Sequence, residues 1–363
     1  MKISFYNFPF LKKSPSDYYP SKDIRLLCVG LCLFFILLPQ GCSVEKEVVF
    51  SGRTMGTTYH IKAVTGYFKR TSGLQDTIDA RLKAINQSMS TYIHDSEISR
   101  FNRSTDTRRP FHVEDDFFQV FKKAQQLYAL TGGAWDGTIK PLVDLWGFGS
   151  NAQGNSHLPN AAIISRTLGT VGFQHIHISG QGAIQKKRAF ITLDFASIAK
   201  GYAVDQLARL LENSGMDNFI VEIGGEVFAA GVRKDGKTWR VGINLPDKKA
   251  SFQDLYSVVQ LSNRAMATSG DYRNFIEQDN VVYSHIIDPR TGYPVQNNVA
   301  SVTIIAPDCT MADGLATAVV VMGIEKGKAL IEQLPGVEGL IIIRDPDGNL
   351  RDFPSSGFRT FSE

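Results

Sequence analysis

Apolar positions along this chain follow two periods, one typical of helices and one typical of strands. Between residues 73 and 90, from Leu74 to Met89, they recur at the spacing of a single helix face. Three more helices are predicted from end signals: one between the plausible caps Asp115 and Asp116 and the stop at Gly132 and Gly133, one over 196–215, and one from about Asp313.

Strand-like segments lie between and after these helices. They cover a short tether and first strand within 43–64, then 189–195, 218–231, 238–246, 256–263, 299–307 and a hairpin over 339–353 that turns at Asp347-Gly348. Helices and strands do not alternate regularly, and several strand pairs are sequential. The pattern therefore favours an α+β fold with a mainly antiparallel sheet, in a single domain without repeats or an internal linker.

The N-terminal segment has the organisation of an export signal. A basic stretch ends at Arg25, an apolar run covers 26–38, and Gly41 immediately precedes Cys42. The run is shorter than the roughly 20 residues of a membrane span, and small-then-Cys resembles the signal of bacterial lipoproteins. Cys42 is then the predicted lipidation site, carrying acyl chains such as palmitate; the alternatives are an uncleaved anchor or an ordinary secretory signal.

Net charge and cysteine content argue against several classes of function. The five basic and two acidic residues of 1–41 account for the whole net charge of +3, so the rest of the chain is neutral. Because the rest of the chain has no excess of basic residues to attract phosphates, we do not expect it to bind nucleic acid. The leader and Cys42 leave Cys309 alone, which provides neither a disulfide framework nor a cysteine metal site.

Two stretches contain residues suited to phosphate or proton chemistry. In "LDFASIAKGYAVD" (193–205), small residues surround Ser197 and Lys200 after Asp194, so that backbone amides and a cation could approach a phosphate. The alternative is an Asp cap beside a solvated lysine. In "YSHIIDPRTGYPV" (283–295), His285 is a candidate general base, with a hydrogen-bonded structural histidine as the alternative.

Two further stretches suggest a planar ligand and a metal. "TGGAWDGTIKPLVDLWGFG" (131–149) places Trp135 beside Asp136, suited to a heteroaromatic ring if exposed, or simply a core tryptophan. "DCTMADGLATAV" (308–319) places Asp313 and Thr317 one helical turn apart. Oxygen ligands without His or Cys suit Mg²⁺, and helix capping is the alternative.

Together these motifs resemble the FAD:protein FMN transferase family, the ApbE family. "MGTTY", "MSTYIHDSEISRFN", "VEIGGEV", "AMATSGDYRNF" and "TMADGLATAVVVMG" complete the series, from about Phe50 to the C-terminus. The resemblance implies Mg²⁺ held by Asp313, Thr317 and an oxygen at Ala196 or Ser197, expected to be main-chain. It also implies an FAD site lined by Met55, Tyr92, Ala134, Trp135, Asp136, Asp194, Lys200 and Ile287. His285 within the matched region is the candidate catalytic base.

The resemblance implies transfer of FMN from FAD to a Thr or Ser hydroxyl of a target protein through a phosphoester bond, with release of AMP. The alternatives are a Mg²⁺-dependent FAD pyrophosphatase and a non-catalytic flavin-binding lipoprotein. The expected organisation is a lipoprotein signal at 1–41, a tether at 42–49 and the transferase domain at 50–363. The expected acceptor is a membrane-bound redox-complex subunit, and the expected location is the periplasmic side of the envelope, with the inner or outer membrane left open.

Overall fold

The computed structural model describes residues 45–149, 158–247, 249–251, 253–270, 275–278 and 281–360, with backbone only for 275–278 and 281–282. The chain divides after Val44, and its second unit, Glu45–Glu363, is compact. The predicted signal, the predicted acylation site Cys42 and the loop 151–157 lie outside the described residues. Among the described residues, no helix combines the length and apolarity that a membrane crossing requires.

The second unit contains helices and strands in mixed order. The helices are α1 Leu74–Met89, α2 Glu97–Arg103, α3 Asp115–Leu130, α4 Lys140–Leu145, α5 Ala161–Leu168, α6 Ala196–Asn213 and α7 Cys309–Gln333. The strands are β1 Glu45–Thr54, β2 Thr57–Gly66, β3 Phe111–His112, β4 Ile176–Gly180, β5 Ala183–Lys186, β6 Asn218–Ile223, β7 Glu226–Ala230, β8 Trp239–Asn244, β9 Leu255–Leu261, β10 Arg264–Gly270, β11 Phe275–Gln278, β12 Val281–Ser284, β13 Val299–Ala306, β14 Glu338–Arg344 and β15 Leu350–Pro354.

An eight-stranded sheet organises the unit, in the order β1-β2-β6-β7-β10-β13-β14-β15, and every pairing in it is antiparallel. Alternate residues of each strand point to opposite faces. One face, with Tyr59 and Ile61 from β2, packs in the main core with side chains of α6 and α7. The other packs against the β8–β9 hairpin through Trp239 and Val259. The predicted α+β class with a mainly antiparallel sheet is confirmed.

The predicted strand at 189–195 is wrong, although the segment is apolar. Its backbone groups bond to loops and side chains instead of a neighbouring strand. The amide of Leu193 donates to the Asn102 side chain at 2.7 Å, and the amide of Asp194 donates to the carbonyl of Gly137 at 2.7 Å. Those bonds hold the segment in place just before α6.

Helix and strand starts also differ from the sequence-based expectation. Helix α3 has Glu114 at its N-cap, so Asp115 and Asp116 lie in its first turn; the carboxylate of Asp116 instead accepts bonds from Arg81 and Tyr202. Strand β1 begins at Glu45, ahead of the expected domain start at residue 50. It does so because residues 45–49 pair with the second half of β2.

Lys186 allows a test of the core by pH. Its side chain is buried, its ammonium donates to the carbonyl of Ser104 at 2.8 Å and lies 4.5 Å from the Phe101 ring centroid. Burial lowers the pKa of Lys186 to about 8. The folded protein therefore releases this proton at lower pH than the unfolded chain, so this group makes the free energy of unfolding rise between about pH 8 and about pH 10.5.

We expect Lys186→Met to lose that rise, so that wild type gains stability relative to the variant as pH increases. Urea unfolding at the two ends of the interval measures the difference. Lys187→Met is the matched control, because Lys187 is exposed and should keep the wild-type dependence. Parallel pH profiles for wild type and Lys186→Met would show that this ammonium is not held in a desolvated state.

Candidate functional site

Asp313 and Thr317 lie on successive turns of α7, on one side of the helix. The Thr317 hydroxyl is 3.4 Å from the carbonyl oxygen of Asp313. Asp308 is the N-cap, and its carboxylate accepts the amide of Met311 at 3.0 Å. The helix thus begins at Cys309, not near Asp313, and the capping alternative for Asp313 is wrong. Asp313 is only 4% exposed, so its carboxylate faces the protein interior.

Helix α6 supplies the partner of that carboxylate. The amide of Gly201 donates to Asp313 Oδ2 at 3.0 Å. In an α-helix the same amide points at the carbonyl four residues earlier, which is that of Ser197. The Asp313 carboxylate and the main-chain oxygen of Ser197 are therefore directed at one N–H group. The Ser197 hydroxyl is engaged elsewhere, since it accepts the indole N–H of Trp135 at 2.9 Å.

Asp205 joins the same two helices one turn further along α6. Its carboxylate accepts the amide of Cys309 at 2.7 Å, the amide of Thr310 at 2.9 Å and the Thr310 hydroxyl at 2.5 Å. It satisfies donors at the start of α7 that the helix itself cannot pair. Sequence reasoning missed Asp205. The signal that could have found it is its position at the end of "LDFASIAKGYAVD", which places it on the same side of the helix as Gly201.

A second buried carboxylate lies beside Asp313. Glu226, at the start of β7, pairs with Lys200 at 2.5 Å, so the expectation of a solvated lysine is wrong. Burial raises the pKa of Asp313 well above its ordinary value, and the charge of Glu226 raises it further. One oxygen of Glu226 is buried without a hydrogen-bond partner. When both acids are ionised, their negative charge exceeds what Lys200 neutralises. Glu226 was another residue that sequence reasoning missed.

Hydroxyl groups connect α7 to the sheet. The Ser269 hydroxyl, on β10, is 3.1 Å from that of Thr317. Ala265 and Ala267 share the face of Ser269 and belong to the main core. Along with the carboxylate of Asp313, these hydroxyls form an oxygen-rich edge where α7 passes the end of β10.

The tryptophan motif is buried and does not present an exposed aromatic surface. Trp135 is 2% exposed, and Ala134 beside it is also buried. The Asp136 carboxylate accepts the amide of Thr138 at 2.8 Å and the amide of Phe173 at 3.1 Å, which fixes the turn. The expectation of an exposed Trp135 is wrong, and the core alternative is correct.

Asp194 precedes α6, and the histidine segment packs around α4. The Asp194 carboxylate accepts the amide of Ala196 at 2.8 Å just before α6, but the N-cap residue is Phe195, so the alternative of Asp194 as the N-cap is wrong. His285 follows β12, and its ring lies edge-on to Phe148, with ring centroids 6.3 Å apart. Ile287 packs with Leu142 in a smaller core cluster that also includes Phe148. His285 and Ile287 thus lie at this cluster, whereas Ile286 between them packs in the main core with α6 and α7.

Met55 and Tyr92 belong to two segments, the β1–β2 turn and the chain after α1, that are joined through a neighbouring hydrogen bond. Met55 and Gly56 form the two-residue turn between β1 and β2, with φ of 50° and 74°. A left-handed methionine is strained, and such residues cluster at functional sites. Tyr92, beyond the end of α1, is 77% exposed. The side chain of Asn86 in α1 donates to Thr54 at 2.9 Å and so connects the two segments.

A sequence profile described as the ApbE family matches residues 55–341. The match covers the β1–β2 turn, both helices of the α6–α7 contact and the histidine segment. The chain belongs to the ApbE family.

Relatives named FAD:protein FMN transferase are similar to the chain over most of its length. One from Vibrio cholerae is 42% identical, over 91% of this chain and 98% of its own. One from Haemophilus influenzae is 37% identical, over 93% and 99%. The solved flavin transferase ApbE from Vibrio cholerae has a TM-score of 0.79 at 41% identity, over 87% of this chain and 99% of its own. The apo flavinyl transferase ApbE of Pseudomonas stutzeri has a TM-score of 0.78 at 35% identity, over 86% and 95%.

The oxygen-rich edge fits a magnesium ion that also binds a phosphate ligand. Among the described residues, no three His, Cys, Asp or Glu side chains converge as a complete metal cage. Mg²⁺ usually binds through one or two carboxylates and completes its shell with water and substrate phosphates. Asp313, Thr317 and the main-chain oxygen of Ser197 match that donor set, and the excess negative charge beside Lys200 favours a cation.

Gly201 is the position at which the two helices can be tested. A Cβ there would lie 2.9 Å from the Cβ of Asp313 and still closer to the carbonyl oxygen of Cys309. Backbone atoms cannot rotate away as a side chain can. We expect Gly201→Ala to lower the free energy of unfolding by about 1–3 kcal/mol and to displace Asp313.

The matched control is Gly180→Ala, where no atom lies within 4 Å of the added Cβ; its effect should remain within about 0.5 kcal/mol. Urea unfolding of both variants measures the difference. Equal stability of the two variants would show that α6 and α7 are not in close contact at Gly201.

Proposed function

We propose that the protein is a Mg²⁺-dependent FAD:protein FMN transferase. In the reaction, a Thr or Ser hydroxyl of the acceptor attacks the FMN phosphorus of FAD. The bond from that phosphorus to the bridging oxygen breaks, AMP leaves with the oxygen, and a phosphoester joins FMN to the acceptor. Family membership and the names of the relatives support this reaction.

The observation that carries the proposal is the buried Asp313 carboxylate, which accepts the Gly201 amide and lies one helical turn before Thr317, whose hydroxyl contacts that of Ser269. When bound, Mg²⁺ neutralises charge on the pyrophosphate and on the departing AMP oxygen. Asp313, Thr317 and the Ser197 carbonyl would hold it. Because these groups lie on two packed helices, the phosphates would be held in a fixed orientation.

Other residues of the site would bind the two ends of FAD. The exposed ring of Tyr92 offers the planar surface that the buried Trp135 does not, with Met55 in the adjacent turn. Ala134 and Asp136 would contribute backbone atoms, since Asp136 uses its carboxylate within its own turn. Asp194 and Ile287 would complete the lining. Lys200 is paired with Glu226. Its ammonium would therefore contribute to the charge near the phosphates together with that carboxylate, and would not bind the phosphates by itself.

His285 is the proposed general base. The acceptor hydroxyl is a weak nucleophile near neutral pH, and an imidazole nitrogen within hydrogen-bond reach can take its proton during attack. The half-buried side chain lies beside the small core cluster that contains Ile287. That packing would hold the ring in one orientation.

We also propose that the enzyme is a lipoprotein of the bacterial envelope, acylated on Cys42 after removal of residues 1–41 and facing the periplasm. The sequence around Gly41 and Cys42 supports this. The acceptor would be a membrane-bound subunit of a redox complex. Anchoring both proteins in one membrane raises their effective concentration.

The direct test incubates the purified protein with FAD, Mg²⁺ and an acceptor protein containing the target Ser or Thr. Intact-mass spectrometry follows the acceptor while AMP is quantified. A gain of one FMN per AMP released, abolished by EDTA, is expected. AMP and free FMN without labelling would indicate the pyrophosphatase, and intact bound FAD would indicate a flavin carrier.

Asp313→Asn should reduce transfer by at least about 100-fold, because removing a charged ligand weakens a metal contribution of several kcal/mol. FAD binding should fall far less, since ring contacts remain. Flavin fluorescence titration and AMP release measure the two effects. Asp308→Asn on the same helix is the matched control, because Asn also caps helices. Equal losses of binding and transfer in Asp313→Asn would argue against a metal-ligand role.

His285→Gln should reduce transfer by about 10²–10⁴-fold while FAD affinity stays near wild type, as expected for loss of a general base. Single-turnover AMP release and FAD titration measure the two quantities. His60→Gln is the control, because His60 is exposed on β2 and pairs with Glu222. Near-normal transfer by His285→Gln would assign the base role elsewhere.

A further inference from the structure

Two aromatic side chains project into solvent at the end of β2. Tyr67 is 57% exposed and Phe68 is 93% exposed. Their rings contact each other edge to face, with centroids 5.5 Å apart and planes at 86°. Exposed large apolar rings in a contiguous pair indicate an interaction surface, because leaving them in water is unfavourable.

This aromatic pair lies directly beside the point where the chain enters the domain. Glu45, the first residue of β1, pairs with Gly66, which immediately precedes Tyr67. Cys42 is three residues ahead of Glu45, and an extended chain spans at most about 3.6 Å per residue. An acyl chain on Cys42 would therefore begin within about 11 Å of Glu45, which holds this corner of the domain at the bilayer surface.

Basic groups surround the pair. Lys69 and Arg70 follow it directly, and the ammonium of Lys46 donates to the carbonyl of Lys69 at 3.0 Å. Lys69 in turn donates to the carbonyl of Gly215 at 2.5 Å, which fastens the turn to the end of α6. The cations of Lys46, Lys69 and Arg70 outnumber the carboxylates of Glu45 and Glu47 on β1, and Glu47 is already paired with Lys62. This excess of positive charge favours anionic lipid headgroups, and aromatic rings favour the membrane interface.

We propose that residues 67–70, the interfacial turn, insert the rings of Tyr67 and Phe68 into the membrane beside the lipid anchor. The proposal rests on the proposed acylation of Cys42 and is independent of the chemistry at Asp313. A protein partner fits less well, because two rings bury at most about 500 Å², below the roughly 800 Å² per partner of a stable interface.

The turn would also set the direction of the active site. Strands β1 and β2 each contain 10 residues and run from the interfacial turn to the Met55 turn. At about 3.3 Å per residue the two ends of the hairpin are about 30 Å apart. With one end at the membrane, the end that carries Met55 points toward acceptors that extend well outside the bilayer.

The test places a fluorescent reporter in the turn of the full-length lipidated protein. The native tryptophans Trp135, Trp146 and Trp239 are all buried and provide a constant background. Phe68→Trp adds an emitter in the turn, and Phe190→Trp adds one at a residue that is 76% exposed in a different segment, after β5. Both variants are reconstituted in vesicles of phosphatidylethanolamine and phosphatidylglycerol, with and without brominated acyl chains.

We expect the added emission of Phe68→Trp to shift to the blue and to be lost in brominated vesicles, while that of Phe190→Trp is unchanged. If Phe68→Trp floats with the vesicles but its added emission is not quenched, the proposed insertion of the interfacial turn is wrong, and the proposed lipid anchor is unaffected. Failure of both variants to float would overturn the anchor and this proposal with it. AMP release measured in detergent reports on the transferase separately.

Discussion

The contact between α6 and α7 at Gly201 is the constraint on which the site depends. Because residue 201 has no side chain, its amide reaches the Asp313 carboxylate, and the carbonyl of Cys309 lies where a Cβ would be. Asp205 fastens the same contact by capping the first residues of α7. A buried carboxylate, a hydroxyl and a main-chain carbonyl are thus positioned by backbone packing, which is stiffer than any set of surface side chains.

The electrostatics of the site follow from that packing. Two carboxylates, Asp313 and Glu226, are buried, and the half-buried Lys200 on α6 pairs with Glu226. Buried charge is costly unless it is paired, and burial accordingly raises the pKa of both acids. Binding of the proposed divalent cation with its phosphate ligand would offset this cost.

The β1–β2 hairpin separates the proposed flavin site from the proposed membrane contact. One end has the strained Met55 turn, and the other has the exposed Tyr67 and Phe68 beside the point where the chain enters the domain. An antiparallel pair with a two-residue turn is rigid along its length, so a contact at one end orients the other. The proposed anchoring and the proposed chemistry would then be mechanically linked, although no residue takes part in both.

The sequence by itself determined the class of fold, because helix and strand periodicities depend on local residue order, and it brought the motifs around Asp313, Lys200 and His285 to notice. It also placed Asp313 and Thr317 on one helix face. It failed where long-range contacts decide: Trp135 is in the core, the apolar segment 189–195 bonds to loops, and α7 begins at Cys309 because Asp308 and Asp205 satisfy its first amides. Glu226 and Ser269 could be assigned to the site only from the tertiary structure, because the sheet places them in contact with α6 and α7. Periodicity is local, whereas the partner of a buried charge is chosen by tertiary packing.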